Sequence, residues 1–338
     1  MSATQEDVAR RAGVSRQLVS LVVRGDPRVS AERRKAVKRA MEELNYRPNA
    51  AARALAEKRS GLLGVVLPSI ANPFFGSIVE ALREPASERH FTPLVVFGEE
   101  SRQLERQAFE RFLESGVAGI IAVSTVLEPA EIQRIAAEIP LVVVARDPMG
   151  GRIDTVTSAN REGGRLAARH ALEAGYRHLV YVGRHEPVDG SVSNQRELGY
   201  LDAMAEVGRL GEALTVLTGD HTGQMVEEVF DAVGDTDCCF ITVNDIVAVE
   251  IVAELAIRGI RPGKDVGVIG YDNTYLAGMH GLEITSIDQD YAAMGDAIVE
   301  LMATRMAAPD LAGRHQLITP HLVKRASTRR RPWGKPIT

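Results

Sequence analysis

From residue 62 onward the chain repeats a pattern that leaves few folds open: a short, almost uninterrupted apolar run, then an amphipathic stretch. The runs are LLGVVL (62–67), PLVVF (93–97), AGIIAV (118–123), PLVVVA (140–145), LVYVG (179–183), LTVLT (214–218), CCFITV (238–243) and VGVIG (266–270). Short runs rich in Val and Ile, without polar alternation, are what strands covered on both faces require. They predict parallel sheets flanked by helices. The stretch 103–115 sets Leu104, Ala108, Phe109, Phe112 and Leu113 on one helical face. Eight such units exceed one ordinary open sheet, and Asn160 to Gly164 reads as a break. The expectation is therefore two similar doubly wound α/β subdomains rather than a closed eightfold barrel.

The segment before this body is of another kind. Residues 4–12 (TQEDVARRA) read as a short helix capped by Thr4, with Asp7 in its first turn and Gly13 ending it. Ser15 caps a second helix, 15–24, with Leu18, Val19, Val22 and Val23 at helical spacing, and Gly25-Asp26-Pro27 break it. Ser30 opens a third helix over about 30–44, with Val37, Ala40, Met41 and Leu44 on one face. Residues 49–59 (NAAARALAEKR) hold strong helix formers behind an Asn49 cap and almost nothing large to bury. Such a segment is either a linker or a helix that forms only when something holds it.

The net charge of -5 hides an asymmetry. Residues 1–60 carry a balance of +7, residues 61–321 one of -18, and the last 17 residues one of +6. A basic N-terminal module on an acidic body points to a polyanion for the module and not for the body, although charge alone also allows a solvated basic face. Three short helices with a glycine turn form a helix-turn-helix, and this charge favours DNA over a protein partner. Its second helix presents early residues to the major groove, where Arg16 and Gln17 stand. Arg can bond guanine and Gln adenine, and Arg16 reaching only a phosphate is the alternative. The capping hydroxyls of Thr4 and Ser15 and nearby backbone N–H groups suit phosphates.

These residues resemble the lactose-repressor-type transcription regulators, the LacI/GalR family. The resemblance rests on DVARRAGVS (7–15), Leu18-Val19-Ser20, Val29-Ser30, LNYRPNAAARALA (44–56) and GVVLPSIANPFF (64–75). It continues through Arg196 with Gly199-Tyr200, Val243-Asn244-Asp245 and IGYDNT (269–274), so that it covers residues 4–325. It implies that Ser20 and Leu21 belong to the DNA-reading face. Leu21 departs from the Arg the family commonly carries there, and with Arg16 it implies an unusual half-site. The resemblance also implies that residues 49–60 are a hinge helix that orders in the minor groove. Asn49 and Ala52 lie along it, and Leu55 matches the wedge that opens a base step, with an inert alanine-rich linker as the alternative.

For the body, the resemblance implies a periplasmic-binding-protein-like fold with an effector between two lobes, at the carboxyl ends of strands. Ser69, Asn72, Phe74 and Phe75 follow the first strand, Arg146 follows 140–145, Asn244 follows 238–243 and Asp272 follows 266–270. Arg196 and Asp272 are the leading candidates for gripping hydroxyls, a phenyl ring suits a sugar's C–H face, and Gln289 is a further candidate. Each has a plainer role available: Asp272 as a turn cap, Arg196 paired with Glu197, Phe74 or Phe75 in the core.

The expected organisation is a helix-turn-helix domain at 1–48, a hinge or linker at 49–60, and an effector-binding and dimerisation domain at 61–325. Its N-lobe takes about 61–160 and 290–318, its C-lobe about 161–289 and 319–325, and residues 326–338 are read as a disordered tail. No catalytic motif, nucleotide loop or metal-spaced histidine pair occurs, so no enzyme activity, metal or cofactor is expected. No apolar run is long enough to span a membrane, residues 1–11 do not read as a secretory signal, and Cys238 and Cys239 are adjacent, which together favour the cytoplasm. The expected partners are near-palindromic operator DNA, a small-molecule effector such as a sugar or derivative, and a second copy of the chain; the tail lacks the leucine heptads of tetrameric relatives. A solute-binding module without DNA function and a sugar-modifying enzyme are the alternatives.

Overall fold

A computed structural model describes residues 3–23, 26–46, 61–184, 192–218 and 222–329. Asn49, Ala52, Leu55 and the rest of residues 49–60, expected as a hinge or linker, lie outside the described residues. The chain divides into two compact units, Met1–Gly61 and Leu62–Thr338.

The first unit holds α1 (Gln5–Ala12), α2 (Arg16–Val23) and α3 (Ala31–Glu43). Thr4 caps α1 in a reciprocal box: its hydroxyl accepts the Asp7 N–H while its own N–H donates to the Asp7 carboxylate. Gly13 ends the helix at φ 65°, the left-handed turn that sets α2 across α1. The core is small: Val8, Ala9, Val19, Val22, Val29, Val37 and Ala40 are buried.

The second unit contains two six-stranded sheets. In the first, β1 (Leu62–Leu67), β2 (Thr92–Phe97), β3 (Gly119–Val123), β4 (Leu141–Val144) and β5 (Asp154–Ser158) are joined by β11 (His315–Ile318) in the order β11-β5-β4-β3-β1-β2, all parallel. The helices α4 (Pro73–Glu88), α5 (Arg102–Glu114), α6 (Pro129–Glu138) and α11 (Tyr291–Ala307) belong to this lobe. The second sheet has β6 (His178–Arg184), β7 (Leu214–Thr218), β8 (Cys238–Thr242), β9 (Gly267–Asp272), β10 (Thr285–Asp288) and β12 (His321–Val323). Its order is β12-β10-β9-β8-β6-β7, and only β12 is antiparallel to its neighbour. The helices α7 (Asn160–Glu173), α8 (Val192–Glu206), α9 (Thr222–Val233) and α10 (Asp245–Ile257) complete this lobe. The chain passes between lobes after β5, after β10 and after β11.

The break expected at Asn160 to Gly164 falls where the chain passes from the first sheet to the second; these residues are the first turns of α7, whose glycines let it lie directly on α8: a β-carbon on Gly164 would stand 1.9 Å from the Arg196 carbonyl oxygen. Two expectations change. The run 93–97 is not covered on both faces. It is the sheet edge β2, where Leu94, Val95 and Phe97 remain 36–41% exposed because one neighbouring strand is missing. The tail is not disordered from 326, since Ser327 and Thr328 form a short 3-10 turn and are buried against the second lobe. Their hydroxyls find partners there, which an apolar-period reading does not register. Among the described residues no helix is long and apolar enough to cross a membrane.

Candidate functional site

Between the two sheets a cavity of about 540 Å³ opens at the carboxyl ends of the strands. Parallel strands all end on the same side, so the loops that leave them converge there. Ser69, Asn72, Phe74, Phe75 and Arg146 line it from the first lobe, and Arg196, Asn244 and Asp272 from the second.

Arg196 forms the floor on the second side. It stands in the second turn of α8, which begins at Val192, earlier than expected, so Arg196 does not open the helix. It is 5% exposed, its Nε donates to Asn160 Oδ1 at 2.9 Å, and its Nη1 donates to the Val243 carbonyl. Its guanidinium carbon lies 3.6 Å from the centre of the Tyr271 ring, and Nη2 lies 3.5 Å from Asp272 Oδ1. It pairs with Asp272 and not with Glu197. Burial pushes the Asp272 carboxyl up to about 7, against the pull of Arg196 and reinforced by the charge of Asp245. Arg196 can offer donors and Asp272 an acceptor or, when protonated, a donor: the pair suits a vicinal diol.

Asn72 and Asn244 serve twice. Each caps a helix through its Oδ1, on Phe74 N–H and Val247 N–H at 3.0 Å, which leaves its amide group as a further donor. Phe74 and Phe75 line the cavity and are also buried members of the first lobe's core, packed edge to face with ring centres 5.3 Å apart. Ser69 accepts the Ala71 N–H at 3.0 Å. Arg146 is half-buried and donates to the Thr125 carbonyl; burial lowers its pKa.

Gln289 does not line the cavity. It is 2% exposed behind Asp272 and donates to Asp272 Oδ1 at 2.6 Å, because β10 runs beside β9 and delivers the amide sideways. Sequence reasoning missed Ser124, Thr125 and Val126, which line the cavity after β3 by the same strand-end rule that found the others. Their turn is held by Glu105, a buried carboxyl of α5 that accepts the Thr125 hydroxyl at 2.5 Å and the Val126 N–H at 3.1 Å. Arg184, Ile246 and Glu250 were missed as well.

In the first unit, Arg16 and Gln17 are exposed at the start of α2, and Ser20 is half-buried. Ser15 is exposed and its hydroxyl accepts the Leu18 N–H, while the Thr4 hydroxyl donates to Asp7, so each is engaged in its own helix. Leu21 is half-buried against the small core, so its side chain is shared between packing and the surface. Among the described residues no three His, Cys, Asp or Glu side chains are grouped to hold a metal.

Residues 4–49 match the lacI family of bacterial regulatory proteins, and residues 168–328 match the periplasmic binding protein-like domain. The chain is 30% identical over 336 residues to the transcriptional regulator GalR of Escherichia coli (strain K12), across 95% of this chain and 97% of that protein. The lac repressor dimer bound to operator and the anti-inducer ONPF has a similar structure: TM-score 0.79, 27% identity, 97% of this chain and 99% of that one. The complex of the transcriptional regulator CelR with cellobiose gives a TM-score of 0.69 at 26% identity, over 96% of this chain and 99% of that one. These relatives are transcription regulators and not enzymes. With a helix-turn-helix unit and a two-lobed α/β body along its whole length, this chain belongs to the lacI family of bacterial regulatory proteins and is a DNA-binding transcription regulator.

Proposed function

We propose that the chain is a repressor whose grip on operator DNA is set by a sugar or sugar derivative bound between the two lobes, and that it works in the cytoplasm. The observation that carries this is the buried Arg196–Asp272 pair facing Phe74 across the cavity: two charged hydrogen-bonding groups and one apolar ring, the set a polyhydroxylated ring needs. Ser69, Asn72, Phe75, Arg146 and Asn244 complete the contact surface, with Gln289 steadying Asp272 from behind. CelR with cellobiose supports a sugar as the ligand class.

The active form is a homodimer. The apolar side chains left exposed at the β2 edge, with Ile70 at 68% beside Phe97, suit a second copy. Two copies place two helix-turn-helix units on a near-palindromic site, where Arg16 and Gln17 read bases, with Thr4, Ser15, Ser20 and Leu21 beside them. The 49–60 segment acts as the hinge, with Asn49 and Ala52 along it and Leu55 as a minor-groove wedge. The domain limits are those expected from the sequence, with the effector-binding domain extended to residue 329, where Ser327 and Thr328 pack on the second lobe.

The test is reciprocal titration. A panel of sugars, polyols, sugar phosphates and purines is screened by thermal shift. Operator recovered by in vitro selection is then titrated with and without the ligand found. A coupling of about 5- to 150-fold is expected, equal in both directions. A ligand that leaves operator affinity unchanged refutes the mechanism. Leu55→Ala is expected to weaken operator binding and leave ligand affinity intact; equal loss of both rejects the wedge.

A further inference from the structure

We propose that Arg325 is a positioning residue for Asp272: from the segment after β12 it holds the turn that aims the Asp272 carboxyl into the cavity. The inference rests on the reading of that cavity as the effector site. Asp272 and Asn273 both have left-handed backbones, with φ of 99° and 49°. Asn enters this region readily, but the φ of 99° at Asp272 is far from the region's usual centre and persists where the surroundings over-determine it. An extended continuation of β9 would hold the Asp272 side chain to one face of the sheet; the turn, with Gln289 on Oδ1, directs it to the cavity.

The surroundings account for the turn group by group. The Asn273 N–H donates to Ser286 Oγ at 3.0 Å, and its side-chain amide donates to Asp288 Oδ2 at 2.5 Å. The Thr274 N–H and hydroxyl both donate to Asp245 Oδ2, at 2.6 and 2.9 Å, and Ser286 Oγ donates to Asp245 Oδ1 at 2.6 Å. Asp245 reaches them because residue 270 is glycine: a β-carbon there would stand 2.2 Å from Asp245 Oδ1. The Asp272 carbonyl accepts the Tyr291 hydroxyl at 2.8 Å, and Asn273 Oδ1 accepts Arg325 Nη2 at 2.6 Å.

Arg325 is itself fixed. Its Nη1 donates to the Ile284 carbonyl at 2.8 Å and its backbone N–H to Thr285 Oγ1 at 2.9 Å. The residues that follow anchor it: Ser327 Oγ donates to the Val268 carbonyl and accepts the Thr285 N–H, while Thr328 meets Thr285 and His170. One planar guanidinium thus ties the start of β10 to the strained turn at the end of β9, through two separate nitrogens. An ammonium is a single point and serves this geometry less well.

The test uses the full chain and amide hydrogen exchange resolved by residue. Arg325→Met keeps length and loses every donor; Arg325→Lys keeps the charge. Exchange at Asn273 and Thr274 is expected to rise about tenfold or more in Arg325→Met. It should rise less in Arg325→Lys, and stay unchanged at Val268 and Ile269 of β9 in both. No rise at Asn273 and Thr274, or an equal rise throughout β9, overturns the proposal. The effector reading is judged apart, by whether stabilisation by the ligand panel is lost in Asp272→Ala. Selective exchange without such loss overturns the effector reading and keeps the hold of Arg325 on the turn. Uniform exchange with such loss overturns the role of Arg325 and keeps the effector reading.

Discussion

A β-carbon on Gly164 would stand 1.9 Å from the carbonyl oxygen of Arg196. The position of Arg196 is thus set by a side chain that is missing on the neighbouring helix. Gly164→Ala must push α8 away from α7, and overpacking of this kind costs about 1–3 kcal/mol. Urea unfolding should show that loss, and ligand affinity should fall as well, because Arg196 travels with α8. Gly76 is the control: it lies within α4 and a β-carbon there meets nothing within 4 Å. Gly76→Ala should be neutral or slightly stabilising. Equal behaviour of the two variants contradicts the helix-contact argument.

The two buried carboxyls of the second lobe make stability depend on pH. Burial raises Asp245 to about 6 and Asp272 to about 7, from an ordinary value of 3.8. Both bind protons more tightly folded than unfolded. Their contribution is full below the ordinary carboxylate value and is lost as pH rises through about 6 and 7. Urea midpoints of the wild type should therefore decline from about pH 4 to about pH 7, and Asp272→Asn should flatten that decline. Parallel curves for the two proteins would remove Asp272 as the titrating group.

Much of the body was legible because its strands are made of Val, Ile and Leu. Four strands escaped: β11 and β12 are short and partly exposed, and β5 and β10 are buried through hydrogen bonds. β5 is DTVTS, wholly buried, with Asp154 meeting Arg305 at 2.9 Å. β10 is TSID, where Thr285 and Ser286 are fully buried and bonded to Ser327 and Asp245. Periodicity sees neither, since the partners are distant in sequence. The same applies to the site. Residues just after a strand could be read in order, but the roles of Glu105 and Arg325 depend on contacts 20 and 52 positions away. Gln289 was expected in the cavity and lies behind Asp272, because the sideways reach of its amide depends on β10 lying beside β9, which the sequence does not give.

Glu105 holds the first lobe's cavity turn much as Asp245 holds the second's. It meets the Thr125 hydroxyl and the Val126 N–H, and burial raises its pKa. Ser124, next to that turn, has a left-handed φ of 50°. Glu105→Ala leaves two buried donors without an acceptor, at a cost of about 1–3 kcal/mol. Glu105→Gln keeps one acceptor oxygen and should recover most of that loss in chemical denaturation. Failure of both variants to shift the midpoint would show that Thr125 and Val126 are satisfied without Glu105.

The DNA-reading assignment of Arg16 has a signature that separates bases from phosphates. Arg16 is exposed at the first position of α2, where a recognition helix meets base edges. A bidentate contact to guanine is worth about 1–3 kcal/mol of discrimination, whereas a phosphate contact adds affinity on any sequence. Arg16→Ala should therefore weaken binding to the selected operator about 5- to 150-fold and relax the base preference at one position of each half-site. Affinity for random DNA and the slope of log affinity against log salt should change little. The opposite pattern, uniform weakening with a slope shallower by about one, places the guanidinium on the backbone. Base reading would then fall to Gln17, whose substitution should alter preference for adenine.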